Sequence, residues 1–498
     1  MTRNVIVIGA GLAGLSAAIH ARRNGYGATV FEHAAVPGGV LAAWKRKGYL
    51  FDGGMHWFMG AREGDPYFDT YRQVGILPGI RLIPVDRYIR VEDEGGRERI
   101  DVTGDLGRLE ADLVRASPAD AKKVAMLMAC AKAFRGNVAM GGGMDKPPEM
   151  QTVLDRIRFF WRLRKVLKYF GGSFGGPLRD FGKSFEDPLV GGIVGSLFFP
   201  EVPVWFMGWI LAQLSEGKLA MPADGSLAVA RAMEKKLLDD GGEVHYRSTV
   251  ARILVERGHA VGVRLEDGTE HRADAVISAA DGRSVLFDML DGKYLPPMLE
   301  KAYRSWGIFR PLFVVHWGLM NPLEGYAPTW TVRLETPLSV GGLDNPFLLM
   351  RTFNYGAFVP EAGKASLQAS VETTWEHWAE LRKDRARYDE EKERVAELLR
   401  QRLVRWVPAL ADGVAVTDVA TPWTTWRYTR NDRGAYEGFL PEPAALMSSL
   451  PRRLPGLRSF YMAGQWTIPG GGVPTSILTG QHAVQLLCRD DRRTYRKG

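Results

Sequence analysis

Two cysteines, Cys130 and Cys488, are all that this 498-residue chain contains. So small a number excludes a disulfide framework and a thiolate-rich metal site, and it suits a reducing compartment. Also missing is an apolar run long enough to cross a bilayer, which needs about 20 residues. The nearest candidate is LVGGIVGSLFFPEVPVWFMGWILA at 189–212. Pro200, Glu201 and Pro203 break it into two short pieces, which read as buried or interfacial elements. There is no G-x-S-x-G elbow, no Walker loop, no His/Cys/carboxylate spacing for a metal and no basic-aromatic nucleic-acid module. Internal repeats and low-complexity tracts are absent as well. The apolar start of the chain runs straight into a glycine motif, so it does not read as a signal peptide.

What is present is ordinary globular material with a bias toward glycine and rings. The chain is 46% hydrophobic, with 57 glycines, 14 Trp and 22 Phe. That length and composition allow two to four domain-sized units and a large core. The net charge of +8 is a mild excess that suits an anionic membrane or ligand without requiring either.

The opening stretch NVIVIGAGLAGLSAAIHARRNGYGATVFEH is the first informative one. Val5–Ile8 is a continuous apolar run, the mark of a parallel strand buried on both faces. Gly9, Gly11 and Gly14 then fill G-x-G-x-x-G, and an amphipathic helix follows to Gly25. A second strand over Ala28–Phe31 ends in Glu32. A tight turn, bare backbone at a helix start and a carboxylate for a ribose hydroxyl together predict a dinucleotide site. Nicotinamide and flavin dinucleotides are both open on these residues.

Three further stretches narrow the choice. Pro37-Gly38-Gly39 follows Glu32 closely, and YLFDGG begins at Tyr49. At 221–282 a helix over Ser226–Leu238 stops at Gly241-Gly242, alternating strands follow, and the buried AVISAA leads to Asp281. Near the C-terminus FYMAG is a short buried strand, and GGGVPTSILTGQHAVQLL is a helix reached through glycines. This arrangement resembles the phytoene desaturase, carotenoid isomerase and retinol saturase group of the flavin amine oxidase superfamily.

The resemblance implies an α/β protein with a discontinuous Rossmann-like FAD-binding domain and an inserted α+β substrate domain. Residues 1–85, 225–285 and 455–498 would form the former, 86–224 and 286–454 the latter. It also implies FAD contacts from Gly9, Ala10, Gly11, Ala13 and Gly14 in the first turn and from Glu32 and His33 after the second strand. Gly38, Gly39 and Val40 would give a second phosphate-contacting turn; many members carry Arg where this chain has Val40. Val250 would meet the adenine, and Gly464 and Gln465 the ribityl chain. The helix beginning at Gly472 and Val473 would present its N-terminus to the pyrimidine end of the flavin.

Catalysis is then expected from the flavin, with the protein positioning and shielding it. In DGGMHWFMG at 52–60, His56 is the titratable group for relaying a proton or orienting substrate, on its ordinary near-neutral pKa. Trp57, Arg427 and Tyr436 are expected to line the substrate cavity. RGNVAMGGGMDKPPEM at 135–150 reads as a loop, and 376–405 as a helix with a solvated charged face. RIRFFWRLRKVLKYF at 156–170 holds six basic residues and no acid. Wheel geometry puts Phe159, Phe160, Leu163, Val166, Leu167 and Phe170 on one side and the basic residues on the other. This pattern suits an anionic membrane surface. The expectation is a cytoplasmic FAD oxidoreductase, peripheral at a membrane, acting on a lipophilic polyene or isoprenoid by desaturation, saturation or isomerisation. The alternatives are a flavin amine oxidase and a non-catalytic prenyl-binding escort of the same architecture.

Overall fold

Asn4–Ile8 (β1) is the middle strand of a five-stranded parallel sheet in the computed structural model, which describes residues 2–137, 145–359, 363–446, 448 and 450–497. Val5 to Ile8 are buried, as both faces of the strand are covered. Helix α1 (Leu12–Arg23) returns the chain to β2 (Gly27–Phe31), parallel to β1 with Val5 opposite Ala28. The remaining strands come from far along the chain: β3 (Glu243–His245), β4 (Ala275–Ser278) and β5 (Phe460–Met462). Their order is β3-β2-β1-β4-β5. The ends of β2, β1, β4 and β5 therefore form one continuous edge, where open α/β sheets bind ligands.

Helix α2 (Val473–Asp490) packs on α1 with almost no spacing. A Cβ on Gly480 would sit 2.2 Å from the Ala13 carbonyl oxygen, and the Ser16 hydroxyl donates to the Ile477 carbonyl at 2.7 Å. Only glycine at 480 permits that approach.

A seven-stranded mixed sheet forms the second layer system. Its strands are drawn from Arg87–Asp93, Arg99–Thr103, Leu312–Leu319, Thr329–Val340, Leu343–Phe353, Ala365–Glu372 and Val414–Ala420. Tyr49, on a two-stranded ribbon of Ala43–Arg46 and Tyr49–Asp52, abuts its Gly318, and the Tyr49 hydroxyl donates to the Leu319 carbonyl at 3.1 Å, docking that ribbon on this sheet.

The apolar stretch at 189–212 is two buried helices, Pro188–Gly195 and Val204–Ser215, with the proline-containing break between them. Among the described residues no helix is long and apolar enough to cross a membrane. The charged segment at 376–405 is also two helices, Trp375–Leu381 and Arg385–Leu403, separated where Asp384 caps the second. Residues 138–144 of the glycine-rich stretch at 135–150 lie outside the described residues.

The basic segment departs from its expected geometry. Its helix covers only Val153–Leu163, capped by Thr152 and Asp155, and a separate short turn follows at Leu167–Tyr169. Leu163 and Val166 are buried, while Phe159 and Phe170 lean on the core. The apolar side chains that face outward are Val153, Leu154, Ile157, Phe160 and Trp161. Of the six residues the wheel groups, Phe160 and Leu167 face outward and the other four turn toward the core, because tertiary packing sets which stripe is covered.

Candidate cofactor and substrate site

The ligand edge begins at the turn after β1. Gly9 has φ +95, a conformation other residues resist, and its N–H donates to the Phe31 carbonyl at 2.8 Å. Gly14 is needed for packing, because a Cβ there would meet the Gly9 oxygen at 1.8 Å. Gly11 differs: its Cβ would meet nothing within 4 Å. Helix α1 also starts without a side-chain cap or an acid in its first turn. An uncapped N-terminus beside open space is a fit for the diphosphate of FAD.

Glu32 ends β2 beneath this turn. The Ala10 N–H donates to its Oε2 at 2.5 Å and the Ala34 N–H to its Oε1 at 2.7 Å. Burial raises the Glu32 carboxyl above the ordinary range against those two hydrogen bonds, so a ribose hydroxyl would suit its remaining capacity to accept. The Gly38 N–H donates to the Ala10 carbonyl at 2.9 Å, which docks the second glycine turn, with Gly39 and Val40, against the first. His33 Nδ1 lies 2.7 Å from the Thr249 hydroxyl, next to buried Val250.

Arg427 belongs to this end as well. Its carbonyl lies 2.9 Å from His33 Nε2 and its side chain is exposed. The structure therefore does not bring Arg427 to the substrate side. The helix Pro422–Thr429 ends at Arg430 in a left-handed conformation, and chain order alone misplaced it.

The opposite end of the edge lies beyond β5. The Gly464 N–H donates to the Thr479 hydroxyl at 2.8 Å, and the chain then passes Gln465 to reach Gly470, Gly471 and Gly472. All three glycines have positive φ, and they swing the backbone into α2 at Val473. Residues 471–476 keep accessible surface, so this helix start is open rather than packed.

His56 stands on the loop that follows the strand Tyr49–Asp52. The loop is pinned by Asp52, whose carboxylate accepts from the Gly54 N–H, the Ser226 N–H and the Ser226 hydroxyl. Arg351, itself buried, donates to the Met55 carbonyl and, at 3.3 Å, to Gln368 Oε1. The expectation of near-neutral titration at His56 is not met. Desolvation by the surrounding protein, with the Arg351 guanidinium as a second cause, draws its imidazole below the ordinary range, an effect that water tempers because the side chain is exposed. His56 is thus a neutral imidazole at physiological pH. It keeps accessible surface within the fold, on a cavity of about 20 Å³ lined also by Trp57, Tyr88, Arg351 and Tyr355.

A continuous series of aromatic rings links this loop to Tyr436. Trp57 lies 5.5 Å from Phe198, Phe198 4.5 Å from Phe199, Phe199 4.8 Å from Phe309, and Phe309 5.3 Å from Tyr436. Trp57 and Tyr436 thus stand at the two ends of one series of rings, joined through Phe198, Phe199 and Phe309. Sequence reasoning missed Phe198, Phe199 and Phe309, which nothing local marks out, and it missed Glu437. An acid set in the apolar, glycine-flanked GAYEGF was the available signal for the latter.

Comparison with known proteins agrees with this geometry. The family model for flavin containing amine oxidoreductases matches residues 12–488. A prolycopene isomerase of Daucus carota is 25% identical over 98% of this chain and 80% of its own length. A lycopene-forming phytoene desaturase of Pseudescherichia vulneris is 23% identical over 98% and 99% respectively. Among solved structures, an oxidoreductase of Methanosarcina mazei superposes with a TM-score of 0.60 at 17% identity, covering 97% of this chain and all of the other.

Proposed function

The chain belongs to the flavin containing amine oxidoreductase family, an FAD-dependent oxidoreductase, and from that premise we propose that it acts on carbon–carbon bonds of a lipophilic polyene or isoprenoid. The observation that carries this reading is the aromatic wall from Trp57 through Phe198, Phe199 and Phe309 to Tyr436. Trp57, Phe198, Phe199 and Tyr436 are half-buried and Phe309 is buried among them in the series; such contiguous rings favour an elongated hydrocarbon, which gains from burial and needs no polar partners. The names of the prolycopene isomerase and phytoene desaturase relatives support the same substrate class.

Residues 1–85, 225–285 and 455–498 would hold the cofactor, with 86–224 and 286–454 on the substrate side. FAD, when bound, supplies two-electron exchange with the substrate carbons. The protein's own part is orientation and exclusion of water. Glu32 and the turn from Gly9 to Gly14, with Ala10 and Ala13 inside it, would hold the adenosine diphosphate half. Gly464, Gln465, Gly472 and Val473 would hold the other half. Arg351 and Asp52 fix the loop that presents His56 and Trp57. His56, neutral, offers one ring N–H to donate and one ring nitrogen to accept a hydrogen bond.

A hydrocarbon substrate resides in a bilayer, and the outward stripe gives the enzyme a means to reach it. Val153, Ile157 and Trp161 recur every four residues and are 75%, 59% and 63% exposed. Arg156, Arg158, Arg162, Arg164 and Lys165 flank them. Apolar anchors between cations suit the surface of an anionic membrane.

The test is anaerobic incubation of the flavoprotein with phytoene or a cis-polyene in anionic vesicles. Bleaching of the flavin absorbance, or a product with altered double-bond number or geometry, is expected. Flavin that is untouched by polyenes and bleached by simple amines would overturn the reading.

A further inference from the structure

Glu437 is an acid that the protein leaves without a partner. Among the described residues its Oε2 is sealed from solvent and receives no hydrogen bond, while the side chain as a whole keeps some accessible surface. The side chain lies against the glycine loop before α2: a Cβ on Gly471 would sit 3.0 Å from Glu437 Cδ and 3.1 Å from Oε2. Two backbone contacts hold the segments together. The Gly470 N–H donates to the Phe439 carbonyl at 2.9 Å, and a Cβ on Gly438 would meet the Gln465 carbonyl oxygen at 2.6 Å. Glu437 is therefore held against the 464–473 loop by Gly438 and Phe439, the two residues that follow it.

That loop has a defined place on the ligand edge. Glu32 marks the ribose end, at β2, and the glycine turn of β1 marks the diphosphate. An extended dinucleotide then continues past β4 to β5, so its ring end reaches the loop after Gly464. A carboxyl with one oxygen sealed from solvent and unbonded, placed at the ring end of the ligand edge, is suited to complete its bonding with a ligand.

We propose that Glu437 is a redox-linked proton site whose carboxyl faces the ring end of bound FAD and binds its proton more tightly when the ring is reduced. Reduction by two electrons places negative charge on the ring, and a nearby carboxylate then gains by taking up a proton. The balance is two electrons and one proton to the ring, with a second proton from solvent converting the Glu437 carboxylate to the acid; reoxidation reverses both. Burial alone pushes this carboxyl up to about 8, so its titration starts near working pH.

The surrounding charges do not account for that position. The loop from Gly464 to Val473 carries no titratable side chain. On Glu437's own segment the ionisable neighbour is Tyr436, which also feels Glu372 and Glu201. Glu372 is paired with Arg310 at 2.8 Å, and Glu201 lies 3.8 Å from Arg179.

The inference rests on FAD binding and not on the polyene reading, since no substrate enters its test. The measurement is potentiometric titration of the flavoprotein with dithionite and mediators from pH 6.5 to 10. Wild type is expected to steepen above about pH 8 by one extra proton per two electrons, about 30 mV per pH unit. Glu437→Gln, with FAD retained, is expected to lose that extra slope. Infrared difference spectra of wild type at pH 9 are expected to show a protonated-carboxyl band appearing on reduction. They keep the test decisive should the variant fail to fold. A wild-type slope without the steepening, a steepening that survives in Glu437→Gln, or reduction with no such band would overturn the proposal.

Discussion

The Asp52 carboxylate holds Ser226 twice, accepting from its backbone N–H at 2.6 Å and from its hydroxyl at 2.7 Å. Both residues are buried, and the Gly54 N–H completes the set at 2.8 Å. One carboxylate thus ties the loop that carries His56 to the start of the helix Ser226–Asp239, across 174 residues of sequence.

Asp52→Ala should therefore be far worse than Ser226→Ala. The first leaves three donors unmatched in the interior, about 2–4 kcal/mol when charge-assisted bonds are lost together. The second removes one hydroxyl and about 1 kcal/mol. Chemical denaturation followed by flavin fluorescence gives the comparison, with early flavin release expected in Asp52→Ala. Equal losses in the two variants would mean that the hydroxyl, and not the carboxylate, holds the loop.

A pH effect is expected from Asp281, which follows β4. Burial pushes its carboxyl up to about 6, against hydrogen bonds from the Ser284 and Asp432 N–H groups. The native protein keeps this proton to about pH 6, while the unfolded chain gives it up near the ordinary 3.8. Across that window the native state binds more protons, so stability falls as pH rises, by on the order of 3 kcal/mol in total. Asp281→Asn cannot ionise. Its melting temperature relative to wild type should rise between pH 4 and 7, and a constant difference would contradict the assignment.

Much of the ligand edge was legible because its requirements are local. A turn at positive φ demands glycine, a helix facing a phosphate needs an open start, and β2 must end in an acceptor. Each of these sits within a few residues of Gly9, Gly472 or Glu32. The aromatic series was named only at its ends, Trp57 and Tyr436, since Phe198, Phe199 and Phe309 join it through tertiary packing and carry no local periodicity. Composition cannot show that Arg351 comes near His56 across the fold, so the downward pull on its imidazole was not legible. The helix Val153–Leu163 illustrates the same limit. Its amphipathicity could be read, but which stripe faces the core depends on where Leu163 and Val166 dock.

The outward stripe of that helix leads to a membrane prediction. Replacing Ile157 and Trp161 with Glu should abolish co-sedimentation with anionic vesicles and leave the melting temperature unchanged, because neither side chain packs in the core. Reversing Arg158, Arg162 and Lys165 should act in the same direction, and high salt should imitate it. Neutral vesicles serve as the control. Sedimentation that is indifferent to both sets of changes would remove this helix from any membrane role.

Gly11 and Gly14 stand three residues apart in one motif, yet they should fail in different ways. At Gly14 a Cβ would lie 1.8 Å from the Gly9 oxygen, which is backbone and cannot swing aside. Gly14→Ala must therefore displace either the turn or α1, at about 1–3 kcal/mol or more, and the apoprotein itself should melt earlier. At Gly11 the backbone has φ −69 and ψ 175, which any residue adopts, and a Cβ would meet nothing within 4 Å. Gly11→Ala should leave the melting temperature of the apoprotein unchanged. If that open space is where the diphosphate approaches the start of α1, the added methyl keeps it away from the helix N-terminus. FAD affinity should then fall about tenfold or more, a loss of at least about 1.4 kcal/mol. Calorimetry of the apoproteins with equilibrium titration by FAD separates the two effects. Undiminished FAD binding by Gly11→Ala would show that the space beside Gly11 is not the diphosphate site, whatever becomes of Gly14.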